Sequence, residues 1–217
     1  MDPREDEKRA AAEAAAGLVE DGMTLGLGTG STVAHFLPAL ARRELSLTCV
    51  ATSVATEQAA RALGLIVEPF DFLESLDMAV DGADQIAPDS WLVKGGGGAH
   101  TREKVVAAAA ARFVVIVSTD KLVEKLRPPV PLEILTFGAR ATVRRLLEIG
   151  PVEQRDAPPT PDGNLLFDYL GPVEDHAALS GALDAVPGLV GHGLFPSHIV
   201  DEILVGLPEG RVRRGPF

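Results

Sequence analysis

Only one cysteine, Cys49, stands in the 217 residues, so no disulfide can form within the chain. It lies in the apolar run "LSLTCVA", which reads as a buried structural thiol and fits a reducing, cytoplasmic setting. Aromatic residues make up 5%, with a single tryptophan and a single tyrosine, so Trp91 and Tyr169 read as packing residues rather than stacking platforms. No apolar run approaches the roughly 18 uninterrupted residues that a membrane-spanning helix needs. The opening "MDPREDEKRAAAEAAAGLVEDG" lacks the basic start and apolar core of a signal peptide and reads as a helix. Positive charge is scarce too: 20 Lys and Arg against 31 Asp and Glu give a net charge of -11. That argues against a broad nucleic-acid surface, and the basic tail "GRVRRGPF" is too short to restore one. The histidines at 35, 100, 176, 192 and 198 show no zinc-protease spacing, and one cysteine leaves a structural zinc with too few ligands. No metal is expected.

What remains is an ordinary globular composition, 46% hydrophobic and 24% charged, in a chain long enough for one sizeable domain or a main domain with a smaller one. From residue 23 apolar runs alternate with helical periodicity: "MTLGLG", a helix over 31–43, "LSLTCVA", then "TEQAARALG" closed by Gly64. "LDMAVDGAD", the helix "TREKVVAAAAA" and "RFVVIVST" continue the pattern, which predicts a parallel sheet flanked by helices. Three prolines in "LRPPVPLEIL" then break it. Helix "RATVRRLLEI", polar loop "EQRDAPPTPDGN", strand "NLLFDYL", helix "PVEDHAALSGALDAV" and strand "GLVGHGLF" follow. We therefore expect a Rossmann-like α/β domain over 1–130 plus 205–217 and a smaller α+β, ferredoxin-like domain over 131–204, with the closing strands returning to the first.

The loop "GLGTGSTV" has no lysine, which excludes a triphosphate-binding P-loop. Its glycines run G-x-G-x-G, and the next strand ends in "CVATSV" without an acidic residue, which disfavours a dinucleotide. Two readings stay open. Gly28 and Gly30 permit close backbone approach, and Ser31, Thr32 and the following helix N-terminus supply donors for a phosphate or small anion; or the turn is a glycine-rich connection with a Ser or Thr cap.

Asp81 and Asp84 in "DGADQI" stand three apart at the carboxyl end of a strand. They suit sugar hydroxyls or proton transfer, or alternatively a local Asx turn. "KGGGGAHTREK" carries four consecutive glycines directly before a helix, a costly arrangement in folding entropy unless backbone must approach a ligand. Thr101 reads as the N-cap. Glu103 in the first helical turn either complements the helix dipole or, kept ionised in a glycine-lined pocket, serves as a general base. Lys121 in "VSTDKLVEKL" follows another apolar strand, as a site residue or a solvated lysine.

"GLGTGSTV", "TSVATEQAA", "DGADQI", "KGGGGAHTREK", "VSTDKLV", "PLEI", "PDGNLLFD" and "PGLVGHGLF", in this order, resemble the type A family of ribose-5-phosphate isomerases, from about Lys8 to Val205. The resemblance implies reversible conversion of ribose 5-phosphate to ribulose 5-phosphate in the pentose phosphate pathway, without cofactor or metal. It implies Glu103 as the base that moves a proton between C2 and C1 through a cis-enediolate. Asp81 and Asp84, with Gly82 and Ala83 between them, would contact substrate hydroxyls and assist ring opening. Lys94 and the amides of Gly95, Gly96 and Gly97 would stabilise the enediolate oxygen. Gly28, Thr29, Gly30, Ser31, Thr32 and Lys121 would complete the binding site. The family's second domain partly covers the site and helps to form dimers or tetramers.

Three positions depart from the family pattern: His100 replaces an apolar residue, Gln85 an acidic one, and "PLEILTFG" the usual continuation. His100 is close enough in sequence to Glu103 to bear on its pH profile. Two rivals remain: a sugar-phosphate-sensing domain of the DeoR type, which would carry an N-terminal helix-turn-helix, and a coenzyme A transferase, which would use a glutamate nucleophile in a longer chain.

Overall fold

Apolar runs bounded by glycine or polar turns become strands, and the periodic segments between them become helices. The computed structural model describes residues 3–215; residues 1–2 and 216–217, the outer ends of the expected first helix and basic tail, lie outside the described residues. In chain order, α1 (Pro3–Ala16), β1 (Thr24–Leu27), α2 (Val33–Ala41), β2 (Thr48–Ala51), α3 (Val54–Ala62) and β3 (Met78–Asp81) come first. The pair β4 (Gln85–Ile86) and β5 (Leu92–Val93) leads into α4 (His100–Ala109) and β6 (Phe113–Ser118). Then follow β7 (Val130–Ile134), α5 (Ala139–Ile149), β8 (Val152–Gln154), β9 (Leu165–Tyr169), α6 (His176–Asp184), β10 (Leu189–His192), β11 (Leu194–Phe195), β12 (Glu202–Gly206) and β13 (Val212–Gly215).

The main sheet has the order β13-β12-β6-β3-β1-β2, parallel throughout except for the edge strand β13. Every residue of β3 and β6 is buried, as both faces of a parallel sheet require. On one face α1 presents Ala11, Ala12 and Ala15, and these small side chains pack with Leu25, Leu27, Val114 and Leu204. On the other, Val106 and Ala107 of α4 pack with Phe113, Val115 and Phe195. Cys49 is buried in β2, and burial pushes its thiol up to about 12, so it is inert.

From β1 the chain moves outward to β2, then back across to β3 on the opposite side. The direction of winding therefore reverses between β1 and β3, where open α/β sheets leave a crevice at their carboxyl edge. Leu27 pairs with Val80, so the loops leaving β1 and β3 start side by side.

The elements β7-α5-β8-β9-α6-β10 form a four-stranded antiparallel sheet of order β10-β7-β9-β8, the ferredoxin-like pattern, over a core that includes Leu132, Leu146 and Leu183. Trp91 packs against this core, and Tyr169 lies within it. The expected single strand over 188–195 is divided, because it serves two sheets. β10 pairs with β7, whereas β11 pairs with β5 in a three-stranded sheet β11-β5-β4. At the division Gly193 donates to the Pro131 carbonyl and accepts from the Lys94 amide. β12 returns to the main sheet beside β6. Among the described residues no helix is long and apolar enough to cross a membrane.

Candidate active site

Gly28 leaves β1 with its amide donated to the Val80 carbonyl and its own carbonyl accepting from Thr56 Oγ1, both at 2.9 Å. A Cβ built there would lie 2.0 Å from Asp81 Cγ, so only glycine lets Asp81 sit against the loop. The next amide, Thr29 N, donates to Asp81 Oδ1 at 3.0 Å, while Thr29 Oγ1 bonds Thr52 and Ser53. The amides of Gly30, Ser31 and Thr32 then approach α2 without a hydrogen-bond acceptor among the described residues. Free N–H groups at the positive end of a helix dipole suit an anion.

Asp81, Lys94 and Glu103 form a buried trio, each at most 5% exposed. Lys94 Nζ lies 3.0 Å from Asp81 Oδ2 and 3.2 Å from Glu103 Oε2, and donates to the Gly82 carbonyl. Burial alone would discharge the lysine, but Asp81 and Glu103 outweigh it and hold the ammonium above the ordinary lysine range. Burial pushes both carboxyls up, against the pull of Lys94. The proton retained by the trio belongs on Glu103. Asp81 accepts from the Thr29 and Gly82 amides as well as facing Lys94, whereas Glu103 Oε2 makes no well-aligned hydrogen bond. Burial and the neighbouring Asp81 charge raise Glu103 to about 8. Burial thus opposes the ionised form that both readings of Glu103 assumed at this helix start.

The glycine run bends around this trio. Gly95 and Gly98 adopt φ of +99° and +76°, and a Cβ at either would collide with His100 or Leu166. The Gly96 amide is taken by Asp84 Oδ2 at 2.8 Å, so it is not free for a ligand as the resemblance implied; the Gly95 and Gly97 amides have no partner among the described residues. Arg155 reaches in from the smaller sheet to the Gly95 and Gly96 carbonyls. Thr101 does not cap α4. The cap position is Ala99, and Thr101 Oγ1 is buried without a partner.

Residues 48–210 match the family model described as Ribose 5-phosphate isomerase A (phosphoriboisomerase A). The chain belongs to this family. Ribose-5-phosphate isomerase A of Caulobacter vibrioides (strain NA1000 / CB15N) is 45% identical, with 98% of this chain and 99% of the relative aligned. The solved isomerase A of Methanocaldococcus jannaschii superposes with a TM-score of 0.89 at 35% identity, covering 96% and 97% of the two chains. A D-ribose-5-phosphate isomerase solved in complex with phospho-erythronic acid gives 0.89 at 33% identity, covering 98% of each. A DeoR C terminal sensor domain model matches residues 4–64 only, a stretch that holds the glycine loop after β1 but none of Asp81, Lys94 and Glu103.

Against this isomerase A background, one small cleft of about 100 Å³ gathers Thr29, Gly30, Ser31, Thr32, Gly82, Ala83, Asp84, Lys94, Gly95, Gly96, Gly97, Glu103 and Lys121. Gly28 and Asp81 stand behind its wall, with their polar groups already engaged. A larger cleft of about 500 Å³, between Val50, Phe70 and Arg102, contains none of the ionisable trio. Gln85 bonds the Arg127 backbone in both directions and takes no part. His100 is fully buried, and burial brings it down to about 4; the Glu103 proton affinity is set first by burial, then by the charges of Asp81, Lys94 and Asp84. Sequence reasoning passed over Thr52, Ser53 and Thr56, which hold Thr29, and Phe195, whose ring lies 5.5 Å below Lys94 Nζ. They lie in the segments "TSVATEQAA" and "PGLVGHGLF", to whose side chains the sequence reading assigns no role. Among the described residues no group of three or more His, Cys, Asp or Glu is placed to hold a metal ion.

Proposed function

We propose that this chain interconverts ribose 5-phosphate and ribulose 5-phosphate by proton transfer through a cis-enediolate, as an enzyme of the pentose phosphate pathway that needs no metal or cofactor. The carrying observation is a buried glutamate with its proton affinity raised to about 8, facing an ammonium in a cleft floored by free amides. A proton α to a carbonyl is weakly acidic, so its removal requires both a strong base and fixed positive partners for the developing oxygen charge.

In the open-chain aldose Glu103 takes the C2 proton, the C1 oxygen gains the charge, and Lys94 with the Gly95 and Gly97 amides stabilises it. Glu103 returns the proton to C1 and the C2 hydroxyl proton passes to the C1 oxygen, which completes the ketose. Asp81 keeps Lys94 charged and in place. Asp84, exposed at the rim and braced by the Gly96 amide, binds a sugar hydroxyl and assists ring opening. The Gly30, Ser31 and Thr32 amides with Lys121 take the phosphate. The relative's ligand, phospho-erythronic acid, supports this reading, because its carboxylate places two oxygens in one plane as an enediolate does. We further propose that residues 131–204 form a unit partly covering the site held by 1–130 and 205–217, that the chain works as a homodimer or homotetramer, and that it acts in the cytoplasm.

The test is ketose formation from ribose 5-phosphate in EDTA, with substrate binding measured in parallel. Turnover supports a metal-free isomerase. Binding without turnover would move the reading to a sugar-phosphate sensor.

A further inference from the structure

Arg155 follows β8 in a polar loop to which the sequence assigns no chemistry. Its Nε and Nη2 fork onto Asp168 at 2.8 and 2.6 Å, and its Nη1 donates to the carbonyls of Gly95 and Gly96 at 2.9 and 3.3 Å. Resting on the isomerase reading, we propose that Arg155 is a positioning residue for the reaction: it locks and polarises the glycine run so that the Gly97 amide meets the enediolate oxygen.

A trans peptide directs its C=O and N–H to opposite sides. A group that holds the Gly96 carbonyl therefore turns the Gly97 N–H the other way, toward the cleft that Gly97 lines. Donation to the carbonyl also strengthens the N–H of the same peptide as a donor. The preceding peptide shows the arrangement with an acceptor already in place: Arg155 holds the Gly95 carbonyl, and the Gly96 amide donates to Asp84. Glycines cannot fix such an orientation by themselves, because their backbone has the widest conformational freedom. One restraint lies within the run, where the Gly98 amide donates to the Gly95 carbonyl at 3.0 Å; the Gly96 carbonyl is held from outside by Arg155, whose planar guanidinium grips a carboxylate with one edge while the remaining nitrogen serves the carbonyls. Asp168 balances the Arg155 charge, so the effect is local to the two peptides.

Arg102 supplies the comparison, since it forks onto Asp162 in the same way, at 2.7 Å through both Nε and Nη2, without touching the run. The experiment compares Arg155→Met, Arg155→Lys and Arg102→Met in the full chain. It measures kcat and KM for ribose 5-phosphate and inhibition by phospho-erythronic acid and by inorganic phosphate. Arg155→Met is expected to lower kcat by about 10–100-fold with KM near that of the unsubstituted chain, somewhat less than outright loss of an oxyanion donor. Inhibition by phospho-erythronic acid should weaken in proportion, and inhibition by phosphate should not change. Arg155→Lys, which keeps one donor and the charge, should fall between; Arg102→Met should leave kcat within about threefold. Should Arg155→Met fail to fold, Arg155→Lys carries the same comparison. Equal weakening of both inhibitors, or an unchanged kcat, in a folded Arg155 variant overturns the proposal while the isomerase reading stands. Absence of turnover in the unsubstituted chain overturns both.

Discussion

Glu103 and Glu133 are both withdrawn from solvent, at 5% and 2% exposure, yet their surroundings differ in kind. Glu133, in β7, accepts from Thr160 Oγ1 and Asn164 Nδ2 at 2.8 and 2.9 Å, and so pins the turn whose backbone closes through Thr160 and Asn164. Glu103 faces Lys94 without a well-aligned hydrogen bond and shares that lysine with Asp81. Burial by itself therefore makes neither a base nor a brace. The surroundings decide: neutral donors aimed at Glu133 make it structural, whereas burial and the Asp81 charge, only partly offset by Lys94, leave Glu103 proton-hungry.

Glu103→Gln breaks the contrast most sharply. It keeps the shape and removes the proposed base, so kcat should fall by about 10²–10⁴-fold with substrate still bound, measured by initial rates beside calorimetric titration. Lys94→Met leaves two buried carboxyls without their cation and should cost about 3–5 kcal/mol of stability in urea unfolding, with activity lost as well. Glu133→Ala should cost about 1–3 kcal/mol by the same measurement, through the unpaired Thr160 and Asn164, while kcat stays within a few-fold.

The smallest effect is on pH. The active base form of Glu103 grows as pH rises through about 8, so kcat/KM of the free enzyme should climb over that range. Asp81→Asn removes the charge that competes for Lys94, and the rise should move to lower pH even though its plateau is reduced. Stability runs the opposite way. The folded chain holds the Glu103 proton to about 8, whereas the unfolded chain releases it near the ordinary value of 4.5. Between these values the unfolded state binds fewer protons, so Glu103 makes stability decline as pH rises, and Glu103→Gln should flatten that slope in unfolding measured at several pH values.

The elements could be read from local signals because their causes are local, whereas Asp81 and Glu103 kept two readings each and the role of Lys94 came only with the family resemblance. Runs such as "FVVIVS" have to be central strands, and four glycines before a helix have to meet something. The division of 188–195 between two sheets was hidden, because its cause is a partner on β5 about a hundred residues earlier in the chain. Arg155 was hidden in the same way: an arginine in a polar loop looks solvated until the glycine carbonyls, 60 residues away, are brought against it. Thr101 was misassigned as a cap because its type fits that position; the helix starts one residue before it. The raised proton affinity of Glu103 was not legible, because desolvation depends on side chains that the spacing does not show.

The bare backbone at Gly28 also bears on inheritance. Since a Cβ there would fall within 2.0 Å of the Asp81 carboxyl, position 28 cannot enlarge while Asp81 keeps its place: a larger residue at 28 displaces the anchor of the lysine. Neutral drift has no single-step route to a larger residue at 28, and a recombinant that joins β1 of one relative to β3 of another works only when the two segments share this fit.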